Sequence, residues 1–278
     1  MKHLKNWTSH WLVMVLFIML VMVPASELKA VSNGTELAGN ILGTGISTVL
    51  RGLLAGNIKS FKDVSKCLIY GSAAGLGFYQ SKAMVGKGNV FPGVLLANLS
   101  ASVVDNVASG EGPLSYLGFT LPVVRIEIAT PFARQKRSLL RVTASPRDII
   151  SLALSFSKSD RVSMRNGMLA FEADTPLAAN VRGWAYSMFP TTVSGTPESV
   201  YNHEMVHVVQ SLQLMSASPE PFLKSYRREN GKAKFIDFGG IRAQALGLAN
   251  DLTLAKSQSY SKYWKEIEAY HFASPVTN

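Results

Sequence analysis

Apolar and polar residues alternate along this chain in two rhythms, with a change of texture near residue 119. Before it, residues 41–58, 67–85 and 91–104 are apolar stretches peppered with Gly, Ala and Ser. Lys59, Lys62, Lys66, Lys82, Lys87 and Asp105 interrupt them before most reach bilayer-spanning length. The pattern predicts a mainly helical Gly/Ala-rich region, 31–118, with closely packed helices in preference to membrane-inserted segments. Gly71-Ser-Ala-Ala-Gly75 has the spacing that lets two helices approach. Gly75-Leu-Gly77 lacks the flanking strand and Gly-Lys-Ser/Thr of a phosphate loop. No chemistry is expected from this half.

After residue 119 the rhythm shortens. Pro122-Val-Val-Arg-Ile-Glu-Ile128 and Leu139-Leu-Arg-Val-Thr143 are strand-like, and Asn166-Gly167 between two such runs predicts a tight hairpin over 161–172. Ser145-Pro146 opens a short helix to about 156, and 182–189 reads as one further strand. A longer helix then begins, with Thr196 as N-cap, Pro197 in the first helical position and Glu198 at the positive end of the macrodipole. Beyond Gly239-Gly240, helices are expected over 241–255 and around 263–271. The fold class is therefore α+β, with an active-site helix beside a small antiparallel sheet whose open edge could pair with an extended peptide.

Composition narrows the setting. At 278 residues and 47% apolar content the chain can bury a sizeable core. Lys2 and Lys5, an uncharged run from Trp11 to Val23 and then Pro24-Ala25-Ser26 read as a signal peptide over 1–25, cut after Ala25 or Ala30, with an N-terminal anchor as the alternative. The expected location is exported: periplasmic, envelope-associated or secreted. Cys67 is the sole cysteine, so stability must come from packing or metal. A formal charge of +10 fits a solvated basic surface, or an anionic membrane or envelope surface as partner, better than nucleic acid.

The chemistry concentrates in His203-Glu204-Met-Val-His207. Residues four apart on a helix lie one above the other, so both imidazoles can bind one zinc ion, with Glu204 beside them as general base toward a metal-activated water. Met205, Val206, Val208, Val209 and Leu212 give that helix an apolar body. A catalytic zinc needs a third protein ligand. Gln210 and Gln213 stand where the metzincin pattern has Gly and His, which excludes that arrangement. Glu220, Glu229, Asp237, Asp251, Glu266, Glu268 and His271 remain, and we place the ligand in Glu266-Ile-Glu268-Ala-Tyr270-His271. Two glutamates two residues apart face different ways, so at most one can serve.

His203-Glu204-Met-Val-His207-Val-Val-Gln210 followed by Glu266-Ile-Glu268-Ala-Tyr270 resembles the gluzincin-type zinc metallopeptidases. The likeness is in particular to bacterial domains of unknown function built on His-Glu-x-x-His-x-x-Gln, and more distantly to the CAAX prenyl endopeptidases. The resemblance covers about the last 80 residues. It implies a zincin-like domain over 119–278, Glu266 as third ligand, and Tyr270 where the endopeptidases carry an Asp that orients a histidine. That Asp-to-Tyr departure keeps Glu268 as the alternative ligand. Gln210 is a candidate to orient a ligand, and Tyr270 or His271 to stabilise an oxyanion. The expected function is a zinc-dependent metallopeptidase acting on a peptide or protein substrate. A cell-wall amidase would use similar chemistry, and the alternative is a non-catalytic envelope protein with a degenerate or structural metal site.

Overall fold

The computed structural model describes residues 33–121, 123–133, 140–144, 146–176, 182–186, 188–217 and 264–273. The leader, the helix expected over 241–255 and the acidic candidates Glu220, Glu229, Asp237 and Asp251 lie outside them. The described residues form a mixed α+β fold.

Three helices come first: α1 (Asn33–Leu54), α2 (Phe61–Gly86) and α3 (Val90–Ala108). A capping box starts α2: Ser60 Oγ accepts from Asp63 N at 3.3 Å while the Asp63 carboxylate accepts from Ser60 N at 3.0 Å. The small-residue spacing does what its pattern predicts. A Cβ added at Gly71 would lie 2.5 Å from Thr48 Oγ1, and one at Gly75 would lie 2.3 Å from the Asn40 carbonyl oxygen, so α1 and α2 touch backbone to backbone. By length and composition the segments Gly34–Leu54 and Val90–Ala108 could each cross a membrane, but 61% of the second is buried within the protein.

Strands β1 (Tyr116–Thr120), β2 (Val124–Ala129) and β3 (Leu140–Ala144) form an antiparallel meander. The expected strands over 122–128 and 139–143 correspond to β2 and β3. β1 was not expected, because it is short and straddles the change of texture near residue 119. Its backbone is tied to α3: Gly118 N donates to Ser102 Oγ and Thr120 N to Asn98 Oδ1, both at 2.8 Å.

Helix α4 (Pro146–Ser157) leads to a second sheet of order β4-β5-β7-β6, built from β4 (Arg161–Arg165), β5 (Met168–Ala173), β6 (Gly183–Tyr186) and β7 (Phe189–Val193). Asn166 and Gly167 have φ of 51° and 79°, both positive as a type I′ turn requires. The single strand expected over 182–189 is instead a hairpin, with Tyr186 paired to Phe189. Its connection carries neither Gly nor Asn, so no punctuation marked the turn. β5 and β7 pair in parallel, so this sheet is mixed and not purely antiparallel.

Helix α5 (Glu198–Ala217) lies against β6, β7, α2 and α3, and α6 (Trp264–Phe272) lies across α5 and α2. The cap of α5 corrects the expectation. The turn out of β7 uses Gly195 at φ 76° and absorbs Thr196, whose N–H donates to Val193 O. Helix geometry starts at Glu198, and Thr196 Oγ1 is buried without a hydrogen-bond partner among the described residues. The turn of the β4–β5 hairpin braces this end, Asn166 Nδ2 donating to Glu198 Oε1 at 2.6 Å.

The main core joins α2, α3, the second sheet, α5 and α6, and a smaller cluster of Val49, Cys67 and Val107 lies among α1, α2 and α3. Phe78 and Val85 of α2, Val94 and Val104 of α3, Phe171 and Phe189 of the sheet, Tyr201, Met205 and Val208 of α5 and Ala269 of α6 belong to the main core. The sequence boundary at 118/119 is thus a change of texture that the main core crosses.

The close approach of α1 and α2 is testable. In an open helix position Gly→Ala gains about 1 kcal/mol. At Gly75 the added methyl meets backbone, which no rotamer change relieves, and such overpacking costs about 1–3 kcal/mol. Gly75→Ala should therefore lower the denaturation midpoint. Gly43→Ala, with nothing within 4 Å of the new Cβ, should raise it. Equal responses from the two variants would show that the helices do not meet at Gly75.

Candidate metal centre and active site

Helix α5 presents His203 and His207 on one face, their ring centroids 4.9 Å apart. α6 crosses so that Glu266, 63 residues downstream, meets both. His203 Nε2 lies 3.2 Å from Glu266 Oε2, and His207 Nε2 lies 3.2 Å from Glu266 Oε1. One ligand atom from each of the three residues falls within 4.8 Å of the others. Ligand atoms held about 2.0–2.1 Å from one tetrahedral ion are roughly 3.3 Å apart, so the nitrogen–oxygen separations fit a zinc-sized cation with two imidazoles and a carboxylate as donors.

Glu204 is buried against the sheet edge. A Cβ at Gly183, the first residue of β6, would sit 2.8 Å from Glu204 Oε1, so this glycine makes the space the carboxylate occupies. Burial pushes the Glu204 carboxyl up to about 8; positive charge on His207 opposes the shift and the Glu266 carboxylate adds to it. For His207, burial disfavours the charged ring. The hydrogen bond to Glu266, the charges of Glu204 and Glu266 and the contact with Gln210 outweigh that and raise it to about 9.

Of the remaining sequence candidates, Tyr270 lies against His203, with ring centroids 4.5 Å apart and planes inclined at 51°, and is 42% exposed. Burial, then the charges of Glu266 and Glu204, push its phenol upward. Gln210 reaches His207, its Oε1 lying 2.7 Å from Nδ1. Two candidates are not brought to the cluster. His271 packs edge-on against Phe272 at 5.0 Å. Glu268 faces away, because a two-residue step turns it to the opposite side of α6: Oε1 accepts from Lys82 Nζ at 2.6 Å and Asn40 Nδ2 at 2.9 Å, and Oε2 accepts from Gln210 Nε2 at 2.8 Å. Burial opposes its charge, but the Lys82 ammonium and these hydrogen bonds hold it below the usual carboxylate range. Its neighbour Glu36, by contrast, is lifted to about 7 by burial and by the Glu268 charge.

The first half, to which the sequence assigns no chemistry, supplies hydrogen-bond partners here. Asn40 of α1 and Lys82 of α2 form the far side of this network, and Lys82 is only 1% exposed. The signal available was that Lys82 is the one charged residue between Cys67 and Gly86, in the stretch of α2 made mostly of small and apolar residues. Removing one member of a buried ion pair costs about 3–5 kcal/mol, since the other charge is stranded.

Proton linkage gives a prediction with a definite sign. In the absence of metal, the His207–Glu266 contact stabilises the fold fully below the unfolded value of 6.5 and ceases to do so as pH rises through about 9. Metal needs the neutral ring and so competes with that proton. Binding of zinc at pH 7 should release at least about one proton, and affinity should climb about tenfold per pH unit per proton before levelling above about 9. Calorimetric titration in buffers of different ionisation enthalpy counts the protons. A count of zero at pH 7 contradicts the arrangement.

No protein-family model, no curated protein and no solved structure matches this chain, so the chemical reading of the cluster rests on its own residues and distances.

Proposed function

We propose that the chain is a zinc-dependent hydrolase of the gluzincin type, cleaving a peptide bond at the His203–His207–Glu266 cluster. The observation that carries this reading is the meeting of Glu266 with both Nε2 atoms at 3.2 Å while Glu204 stays buried alongside. When bound, the metal supplies Lewis acidity, lowering the pKa of a water and polarising a carbonyl. His203, His207 and Glu266 would hold it. Glu204, lifted to about 8 by burial in the metal-free chain, would be brought back into its ionised form near neutral pH by the charge of a bound cation, and could then take a proton and return it to the leaving amine. Tyr270, whose ring lies against His203, would donate a hydrogen bond to a developing oxyanion.

The zincin-like aspect of the fold belongs to the same proposal. β6 ends the sheet order β4-β5-β7-β6, and its Gly183 abuts Glu204. A substrate strand pairing with that edge would lay its backbone past the carboxylate, with the peptide bond fixed by main-chain hydrogen bonds. An exported setting and an anionic envelope surface as neighbour remain part of the proposal through the leader and the +10 charge.

The test is cleavage of a broad peptide library, lost on chelation and restored by zinc. Glu204→Gln should retain zinc stoichiometry and lower kcat by about 10²–10⁴, the range for a general acid–base group. Glu266→Ala should lose the metal itself. Full activity in Glu204→Gln removes this residue from the chemistry, and a library left intact by zinc-loaded protein favours a structural metal site.

A further inference from the structure

The polar contacts leading away from the cluster form one chain of directed hydrogen bonds, to which the Glu36 carboxyl adds a further bond to Glu268. Lys82 Nζ has three protons and three acceptors: Glu268 Oε1 at 2.6 Å, Gln213 Oε1 at 2.7 Å and Asn40 Oδ1 at 2.8 Å. Asn40 Nδ2 donates to Glu268 Oε1 at 2.9 Å and also to Glu36 O at 2.9 Å. Gln213 Nε2 donates to Thr44 Oγ1 at 3.0 Å. Glu268 is thereby fixed with Oε2 turned to Gln210.

Gln210 is the link with only one way to sit. Its Nε2 donates to Glu268 Oε2 at 2.8 Å and to Lys265 O at 3.0 Å. Flipping the amide would set its oxygen against a carboxylate and a carbonyl, both acceptors. Its Oε1 is therefore held toward His207 Nδ1, 2.7 Å away, where it can only accept. The Nδ1 atom must carry the proton, and Nε2 is left as the ring atom presented beside Glu266.

We propose that Lys82 is a positioning residue of the metal site: through Glu268 and Gln210 it fixes the tautomer and ring orientation of His207, making the N-terminal helices part of the site they pack against. This rests on the metal reading above, and goes beyond it by giving α1 and α2 a role in metal binding. A mere packing role for Lys82 would stabilise the protein without acting through Gln210. The distinction is therefore one of coupling, which a double-mutant cycle reads directly.

The experiment uses the full chain. Zinc affinity is measured by chelator competition for wild type, Lys82→Met, Gln210→Met and the two combined, and the visible spectrum of each is recorded with cobalt(II) in place of zinc. Gln210→Met leaves the Lys82–Glu268 pair intact and cuts only the link to His207. Each single variant should lose about 10- to 100-fold in zinc affinity, the range for lost partners of a ligating histidine. The combination should lose no more than the worse single variant, and the cobalt bands should shift alike in all three. Should Lys82→Met not fold, Lys82→Met with Glu268→Gln leaves no stranded charge. Its neutral amide at 268 no longer dictates the Gln210 orientation, so the same loss is expected. Folded Lys82 variants with wild-type affinity, or losses that multiply in the combined variant, overturn the proposal. Wild-type protein that takes up no zinc removes the metal reading and this inference together.

Discussion

A two-residue step along α6 constrains the rest of the site. Residues two apart on a helix point about 200° away from each other, so Glu266 and Glu268 cannot serve one partner. One enters the histidine pair of α5 and the other the Lys82–Asn40 pair of α2 and α1. A rotation of α6 about its axis that improved one contact would withdraw the other. Its two carboxylates, the buried Ala269 and the Ala273 that follows the helix tie α6 into the fold by tertiary contact. Close approach makes that possible: a Cβ at Gly86 would collide with the backbone carbonyl of Phe272, so the end of α2 and the end of α6 touch directly.

Burying an ion pair seldom adds net stability, because desolvation offsets the Coulomb attraction. The Lys82–Glu268 pair is better understood by what it orders. Its ammonium spends all three donors on groups from α1, α5 and α6, so a single atom measures the relative placement of four helices. The apolar core beneath is tolerant of small shifts, whereas hydrogen bonds of 2.6–2.8 Å are not. Packing brings the helices together and the polar network sets their register.

Local signals in the sequence were legible where one element suffices. The His203–His207 spacing, the Asn166-Gly167 turn and the Gly71–Gly75 approach each follow from helix or turn geometry, and each appears in the fold. The residues alone narrow the third acid to a short cluster, within which only the family resemblance favours Glu266; the rotation of α6 against two other helices, which separates it from Glu268, is supplied by no local rule. Lys82 and Asn40 were missed for the same reason: their partner lies 186 and 228 residues away. The hairpin within 182–189 was missed because its turn lacks Gly, Asn or Pro, and the start of α5 was misplaced because the preceding turn consumed Thr196.

Charge balance binds these observations together. Glu204, Glu266 and Glu268 are each about 5% exposed or less, and among the described residues Lys82 is the only buried lysine near them. Lys82 is committed to Glu268, leaving Glu204 and Glu266 to the two histidines. Without further positive charge, the folded chain balances them by holding protons: Glu204 is lifted to about 8 and His207 to about 9. The cost of burying Glu204 therefore grows as pH rises from its unfolded value of 4.5 and levels off above about 8, while the stabilisation from protonated His207 is lost as pH rises through about 9; a divalent cation between the histidines and Glu266 would replace these protons with fixed charge. The same substitution would free the Glu204 carboxylate to ionise near neutral pH, the form a general base needs. On this argument the metal reading and the acid–base reading are one electrostatic requirement, and neither side of the cluster is understandable alone.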